Sequence, residues 1–461
     1  MQAPVPSMEP PSPLSDTCSS SDDTHPHHHT AHPPTQRAAV LWWVTGVQAC
    51  VALCIGLTNI PFQELLRSLV GEEMPHSDAH ASSMAGLADG TRALLMFALS
   101  PLFGWLSDRW GRKPMVVLSM AGSTLEFLLL ACSESLVIVF LAKALSGICT
   151  VHSAALNATL ADSFSGEERT KNFGLIGMAF GCGFVIGPAL GGILSAWGVD
   201  PRQLFQLACV MTGTISVLCL LWYPETLPSP VDRERSSGTQ PWTFWHLTPL
   251  AGLRFLFTHG ALTPISLSMF VLVLGTNAVA APWFFFTEFR LGWTRGQVYL
   301  SQFISGLFAI VLQGYCFRRM VHHLGTRITG LLSTVAQLVA LLFMALAVQD
   351  WAVYVGLFFN SVSYCGVSVI SGIMSKSVSP AQQGTLFGGT SSLQTAANSL
   401  SRYLWLGIFS WSINPTRPWL SSPQPCLHLW LAFVMSAANP LLLLWAQGKA
   451  QAHTAHLKKR S

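Results

Sequence analysis

Five charged side chains stand well inside runs that are otherwise apolar enough to cross a membrane: Asp89, Arg92, Glu126, Lys143 and Arg402. Charge at the centre of a bilayer-spanning helix costs at least about 2.5–3.5 kcal/mol, so such residues mark a function or a partner. Lys143 lies about 10 Å into its run, and Glu126 about 18 Å into its own from the opposite side, at 1.5 Å per residue. A Glu126–Lys143 pair at that depth has two readings, a proton-sensitive site or a structural ion pair between neighbouring helices. His152 follows Lys143 by nine residues, about 180° around a continuous helix. The two then face opposite ways, and Lys143 is assigned to any central cavity. Asp89 and Arg92 share one helical face near the end of their run and read as interfacial. Arg402 either attracts an anionic substrate or snorkels to the surface. Neutral polar groups in other runs, Asn277, Gln302, Gln313, Asn360, Gln394 and Asn398, line a cavity or bond across helices.

A second kind of chemistry is concentrated in one short stretch, GWLSDRWGRK at 104–113. Asp108 ends one apolar run, where a carboxylate suits the positive N-terminal end of a neighbouring helix. Arg109, Arg112 and Lys113 can hold helix ends by ion pairs. Gly104 and Gly111 permit a sharp turn and close approach. Asp162, Glu168 and Arg169, after a later run, are candidate partners for Arg109 or Arg112.

The elements that must position these groups follow from composition. Only 10% of the 461 residues are charged and 51% are hydrophobic; a soluble chain carries about 25% charged residues. A multi-pass membrane protein is the reading, and a net charge of +4 gives no reason to expect nucleic acid. Twelve runs are long enough to span, at 38–60, 84–106, 114–132, 136–160, 173–196, 203–223, 262–286, 298–317, 326–348, 351–374, 385–411 and 426–447. The second and eleventh are the least apolar. The polar break after 224 divides them six and six. The expected organisation is a disordered tail over 1–37, a six-helix half over 38–224, a linker over 225–261, a second half over 262–447 and a basic tail over 448–461. The fold class is thus all-α, twelve transmembrane helices in two pseudo-symmetric halves. With the amino terminus in the cytosol, most loop Lys and Arg, including Arg37, Arg109, Arg112 and Lys113, fall on the cytosolic side. Arg67, Arg202, Arg290, Arg295 and Arg417 fall on the other. Both termini are then cytosolic.

Eleven cysteines form no CxxC pair, and nine of them, Cys50, Cys54, Cys132, Cys149, Cys182, Cys209, Cys219, Cys316 and Cys365, fall in apolar runs and read as small buried hydrophobes. No cofactor is expected. HPHHHTAH at 25–32 is a weak candidate for zinc or copper. Asn157-Ala-Thr159 has the glycosylation spacing, but at the cytosolic end of its run it reads as chance.

With these residues in place, GxxxDRxGRK resembles the loop signature of the major facilitator superfamily at Gly104, Asp108, Arg109, Gly111, Arg112 and Lys113. A degenerate echo, GYCFRRMVHHLGTR at 314–327, stands in the second half, with Arg318 at the Asp position. Gly174, Gly183, Gly187, Pro188, Gly191 and Gly192 fill every fixed position of the family's helix-five antiporter pattern, G-x8-G-x3-GP-x2-GG. Glycines so spaced open a groove for a partner helix, and Pro188 bends its own. Lys143-x3-Gly147 is similar to an Arg-x3-Gly pattern, with Lys in place of Arg. Together with the PET triplet at 224–226, these runs most resemble the tetracycline/proton antiporters and their eukaryotic relatives. The resemblance implies a cytosolic latch, a leak-tight helix five between halves, and proton-coupled export of a small organic solute by a monomer in the lipid bilayer. It also implies a carboxylate in the first helix, nine residues before a proline. Ala52 stands there, and Gln48, Thr58 and Asn59 are the polar residues available instead. Two alternatives stay open: a facilitator or symporter of a metabolite such as a sugar or organic acid, and a transporter-like receptor or scaffold that no longer cycles. No nucleophile–base set is seen, so an enzyme is not expected.

Overall fold

The computed structural model describes residues 34–71, 77–150, 152–164, 166–227, 249–258, 260, 262–378, 383–413 and 426–458. Among them there are helices and no strand. In the first half these are α1 (Pro34–Val70), α2 (Ser77–Trp110), α3 (Arg112–Ala131), α4 (Leu136–Cys149), α5 (His152–Ser163), α6 (Gly166–Ala196) and α7 (Pro201–Trp222). A short α8 (Pro249–Thr258) precedes the second half. That half holds α9 (Thr263–Ala280), α10 (Trp283–Leu291), α11 (Arg295–Ala309), a π-helical stretch over Ile310–Cys316, α12 (Phe317–Leu346), α13 (Asp350–Lys376), α14 (Gln383–Ser412), α15 (Leu427–Ala437) and α16 (Asn439–Lys458). Helix lies on each of the twelve expected runs.

Several bounds differ from the hydropathy reading. α1 starts at Pro34, inside the expected tail, and runs through Pro61 to Val70. α8 stands within the expected linker, whose residues 228–248 lie outside the described residues. α16 continues to Lys458 through the expected basic tail, because Ala, Gln and Lys are strong helix formers. The fourth run is interrupted between Cys149 and His152, and the seventh between Ala280 and Trp283.

Nine described helical stretches are long and apolar enough to cross a bilayer, one of them, Arg295–Leu346, covering two expected runs. α2 and α14 are not among the nine, and their packing supplies the reason. They lie against each other, joining the halves. A Cβ on Gly86 would stand 2.8 Å from Leu406 Cβ, and one on Gly90 within 2.7 Å of the Tyr403 ring. Ser410 Oγ donates to the Ala79 carbonyl at 2.6 Å, Ser399 Oγ to that of Gly90 at 3.3 Å, and Thr91 and Tyr403 hydroxyls meet at 3.1 Å. Small and hydroxylated residues lower hydropathy because they serve this helix–helix seam and not lipid.

Candidate functional site

A cavity of about 580 Å³ lies between the halves, lined from α1, α2, α3, α4, α9, α13 and α14 among others. All five charged residues of the apolar runs face it, and so does His152. Lys143 Nζ stands 3.3 Å from Asp89 Oδ1 and 3.3 Å from Glu126 Oε1. It also sits 3.8 Å from the centre of the Phe62 ring, a cation–π contact from α1. Arg402 Nη1 approaches the other oxygen of Asp89 at 3.8 Å. Arg92 donates from Nε to Ser146 Oγ at 3.0 Å. One ammonium thus holds two carboxylates from two other helices, in a wall that is itself buried.

Local sequence explains how α4 delivers Lys143. Gly147 lies one turn on, and a Cβ there would stand 2.6 Å from the Arg92 carbonyl and 3.0 Å from its Cα. The glycine brings α4 onto the α2 backbone, and Lys143 on the same face then reaches Asp89. Asp89 and Arg92 are therefore cavity residues, which corrects the interfacial reading. α2 begins at Ser77, so Asp89 lies about 18 Å along it and not near its end. His152 is corrected as well. The helix breaks after Cys149, the wheel no longer applies, and both Lys143 and His152 face the cavity. The Ser119 hydroxyl bonds the His152 ring at 3.3 Å and accepts its backbone N–H at 3.1 Å.

The neutral candidates divide. Asn277 faces the cavity and donates to Asn398 Oδ1 at 2.9 Å, and Gln394 also lines it. Gln313 reaches it from the π-helical stretch, an irregularity of the kind that gathers at functional sites. Gln48 and Asn360 are buried outside the lining, and Gln302 lies outside it too.

At one end of the bundle GWLSDRWGRK makes a compact knot. Gly111 turns between α2 and α3 with φ at 115°. Arg112 points back, with Nη1 on Asp108 at 2.5 Å and on Ser107 at 3.0 Å, and Nε on Asp162 of α5 at 2.9 Å. The carboxylate at the N-terminus of α3 is Glu225. It accepts the backbone N–H of Arg112 at 2.9 Å and of Lys113 at 3.1 Å, and also those of Thr226 and Leu227. This cap ties the end of α7 to α3, and it gives the PET triplet a structural meaning. Arg109 lies over the Trp105 ring at 5.3 Å. Glu168 meets Arg37 of α1 at 3.7 Å; its partner is neither Arg109 nor Arg112. The Arg169 side chain and the histidine run at 25–32 lie outside the described residues. A Cβ on Gly104 would meet nothing within 4 Å among the described residues, and nothing in their structure explains a glycine there. In the second half the turn falls at Gly325, with φ at 76°. Set on that glycine, HHLGTR stands against DRWGRK, so His322 takes the place of Asp108, correcting the placement at Arg318.

The helix-five glycines serve two partners. Gly183 and Gly187 lie against the α1 backbone, where a Cβ on Gly187 would meet Leu57 N at 2.8 Å, and Pro188 Cδ would stand 2.7 Å from a Cβ on Gly56. Gly191 and Gly192 face Tyr299 of α11 in the other half, at 2.8 and 3.0 Å on the same measure. A Cβ on Gly174 would meet nothing within 4 Å among the described residues.

At the end opposite the knot, two ion pairs cross between the halves: Arg67 with Glu288 at 2.5 Å and Glu64 with Arg295 at 3.0 Å. Arg67 also holds Asp78 at 3.0 Å. Sequence reading passed over Glu64 and Glu288; the one available signal is that Glu64 and Arg67 continue α1 at helical spacing beyond Pro61. Opening that end requires both crossed pairs to part. Arg67→Glu sets like charge against Glu288, and is expected to raise thiol labelling of an Asn59→Cys reporter from that side about fivefold. Adding Glu288→Arg is expected to reverse the gain. Unchanged labelling in the single variant would show that the pair does not hold that end shut.

Comparison with known proteins accords with this architecture. The family model described as Major Facilitator Superfamily matches residues 44–401, and the chain belongs to that family. It is 30% identical to the class D tetracycline resistance protein of Salmonella ordonez, over 78% of this chain and 86% of that protein. It is 27% identical to the class B protein of Escherichia coli, over 80% and 88%. It is also 27% identical to human Hippocampus abundant transcript-like protein 1, over 72% and 64%. Among solved structures, the human organic anion transporter MFSD10 (TETRAN) has the same fold, at a TM-score of 0.68 and 22% identity over 89% of this chain and 100% of that one. The protein is thus an integral multi-pass membrane transporter, and its family and relatives are not enzymes.

Proposed function

We propose that the chain moves a small organic solute through the cavity by alternating access, driven by protons, with Lys143, Asp89 and Glu126 as the coupling group. The observation that carries this is the single Nζ shared by two carboxylates at equal distance. Asp89 has Arg402 as a further cation; Glu126 has an ion pair with Lys143 alone among the described residues. Glu126 is therefore the carboxyl that takes the proton, and Lys143 then shifts its pairing to Asp89. Every titratable or cationic group that lines the cavity with Lys143 bears on that balance: Asp89 and Arg92 from α2, Glu126 from α3, Arg402 from α14, and His152 from α5. The Arg112 knot and the crossed pairs at the opposite end are the two elements that the conformational cycle must rearrange. The basic residues Arg37, Arg112 and Lys113 support a cytosolic position for the knot and both termini, and the reading is of a monomer. Similarity to the tetracycline resistance proteins supports export in exchange for protons, and co-transport of a metabolite with protons is the other direction of coupling.

The test is a screen of labelled solutes against the purified protein in liposomes, with and without an imposed pH gradient. Concentrative uptake of at least one solute only under the gradient is the expected result. Flux that ignores the gradient would leave a facilitator, and no flux of any solute would leave a scaffold.

A further inference from the structure

The cavity carries more positive charge than its own acids neutralise. Arg92, Lys143 and Arg402 face Asp89 and Glu126, a net charge of +1 with His152 neutral. Lys143 is committed to both carboxylates. Arg402 has only the long 3.8 Å approach to Asp89, and about a third of its side chain is open. Arg92 bonds a serine hydroxyl and has no ion pair among the described residues. Two guanidiniums thus stand on opposite sides of the seam between the halves, one on α2 and one on α14. Among the described residues both have N–H donors beyond those contacts, in a fork that suits a carboxylate, sulfonate or phosphate. An uncompensated cation inside a membrane is costly, so an anion in the cavity is favoured over a neutral or cationic solute.

We infer that the substrate is a small organic anion whose acidic group is held between Arg92 and Arg402, and that it travels in the same direction as the proton. Asn277, Asn398 and Tyr364 are within the same lining to meet its polar parts. The direction follows from charge balance. Protonating Glu126 raises the cavity to +2, which favours an anion; a bound anion in turn favours the proton. Linkage is reciprocal, so the two ligands load together. A cationic solute would instead compete with the proton for the carboxylates and exchange against it. The inference rests on the coupling group proposed above and adds the class of solute and the sign of coupling.

The experiment uses the purified full chain and three probes of one shape: indole-3-acetate, its amide and tryptamine, with benzoate and citrate as further anions. Thermal stability and proton uptake from weakly buffered solution are read as each probe is added. The expected result is stabilisation by at least one anion, with uptake of protons on binding, and none by the amide or the amine. Arg402→Gln and Arg92→Gln should each weaken that binding about tenfold, as loss of a charge-assisted hydrogen bond does, while Arg402→Lys restores most of it. Melting of the ligand-free variants close to wild type shows that they fold. Stabilisation by the amine or amide alone, stabilisation by no anion, or proton release on anion binding would overturn the inference. The first and last of these leave proton coupling standing; solute flux with no proton movement at all would remove the coupling group itself.

Discussion

Lys143→Met is expected to abolish gradient-driven transport, by at least about a hundredfold, while leaving slow equilibration of the solute. The ammonium is the one cation within 4 Å of Glu126 among the described residues and the nearer of two for Asp89. Removing it leaves two buried carboxylates, an arrangement that costs about 3–5 kcal/mol if both stay ionised. The protein escapes that cost by binding a proton and keeping it. A carboxyl that never releases its proton cannot couple to a gradient. Methionine is an unbranched, uncharged side chain one heavy atom shorter, so it removes the ammonium and its cation–π contact with Phe62 while leaving most of the apolar stem. Uptake into liposomes with and without a pH gradient reads the effect directly. Lys143→Arg, which keeps the charge and changes only its geometry, is expected to retain coupling in part. Full gradient-driven uptake by Lys143→Met would exclude the lysine from the mechanism.

The second large effect belongs to Arg112. Its side chain is nine-tenths buried and is the shared partner of Asp108 and Asp162. Arg112→Met leaves Asp162, itself four-fifths buried, without that cation, at a cost of about 2–4 kcal/mol for a broken, partly buried pair. The knot lies at one end of the bundle, outside the cavity lining, so solute affinity is expected to hold while the turnover rate falls at least about tenfold. Adding Asp162→Asn removes the stranded charge and is expected to restore thermal stability without restoring turnover. That split separates a conformational role from a merely structural one. Normal turnover in Arg112→Met, or loss of affinity in place of rate, would refute the latch.

Much of this is legible in the sequence because bilayer physics is a coarse filter. Runs of about 20 apolar residues announce their helices, and the two least apolar, α2 and α14, are those that meet each other. Lys143 and Glu126 stand out by cost alone. What escapes is whatever depends on where a helix begins or breaks. Asp89 looks peripheral when α2 is started at its apolar edge, and central once the polar turns from Ser77 are included. His152 looks averted from Lys143 only on an unbroken wheel. Glu225, Glu64 and Glu288 escape for another reason. Each acts across more than 100 residues of chain, Glu225 on Arg112 and Glu288 on Arg67, and nothing local to a carboxylate says which distant helix it will meet. Gln48 shows the reverse error: a polar residue at a suggestive position packs outside the cavity.

The most direct test of the central claim, that solute and proton share one site through Glu126 and Lys143, is the pH inside sealed liposomes. They carry the protein and a trapped pH indicator, with no gradient imposed. Adding a transported solute outside is predicted to shift internal pH as the solute enters, and Glu126→Gln is predicted to let the solute equilibrate with internal pH unchanged. Solute entry through the wild-type protein without any pH shift, or an undiminished shift in Glu126→Gln, would contradict the account.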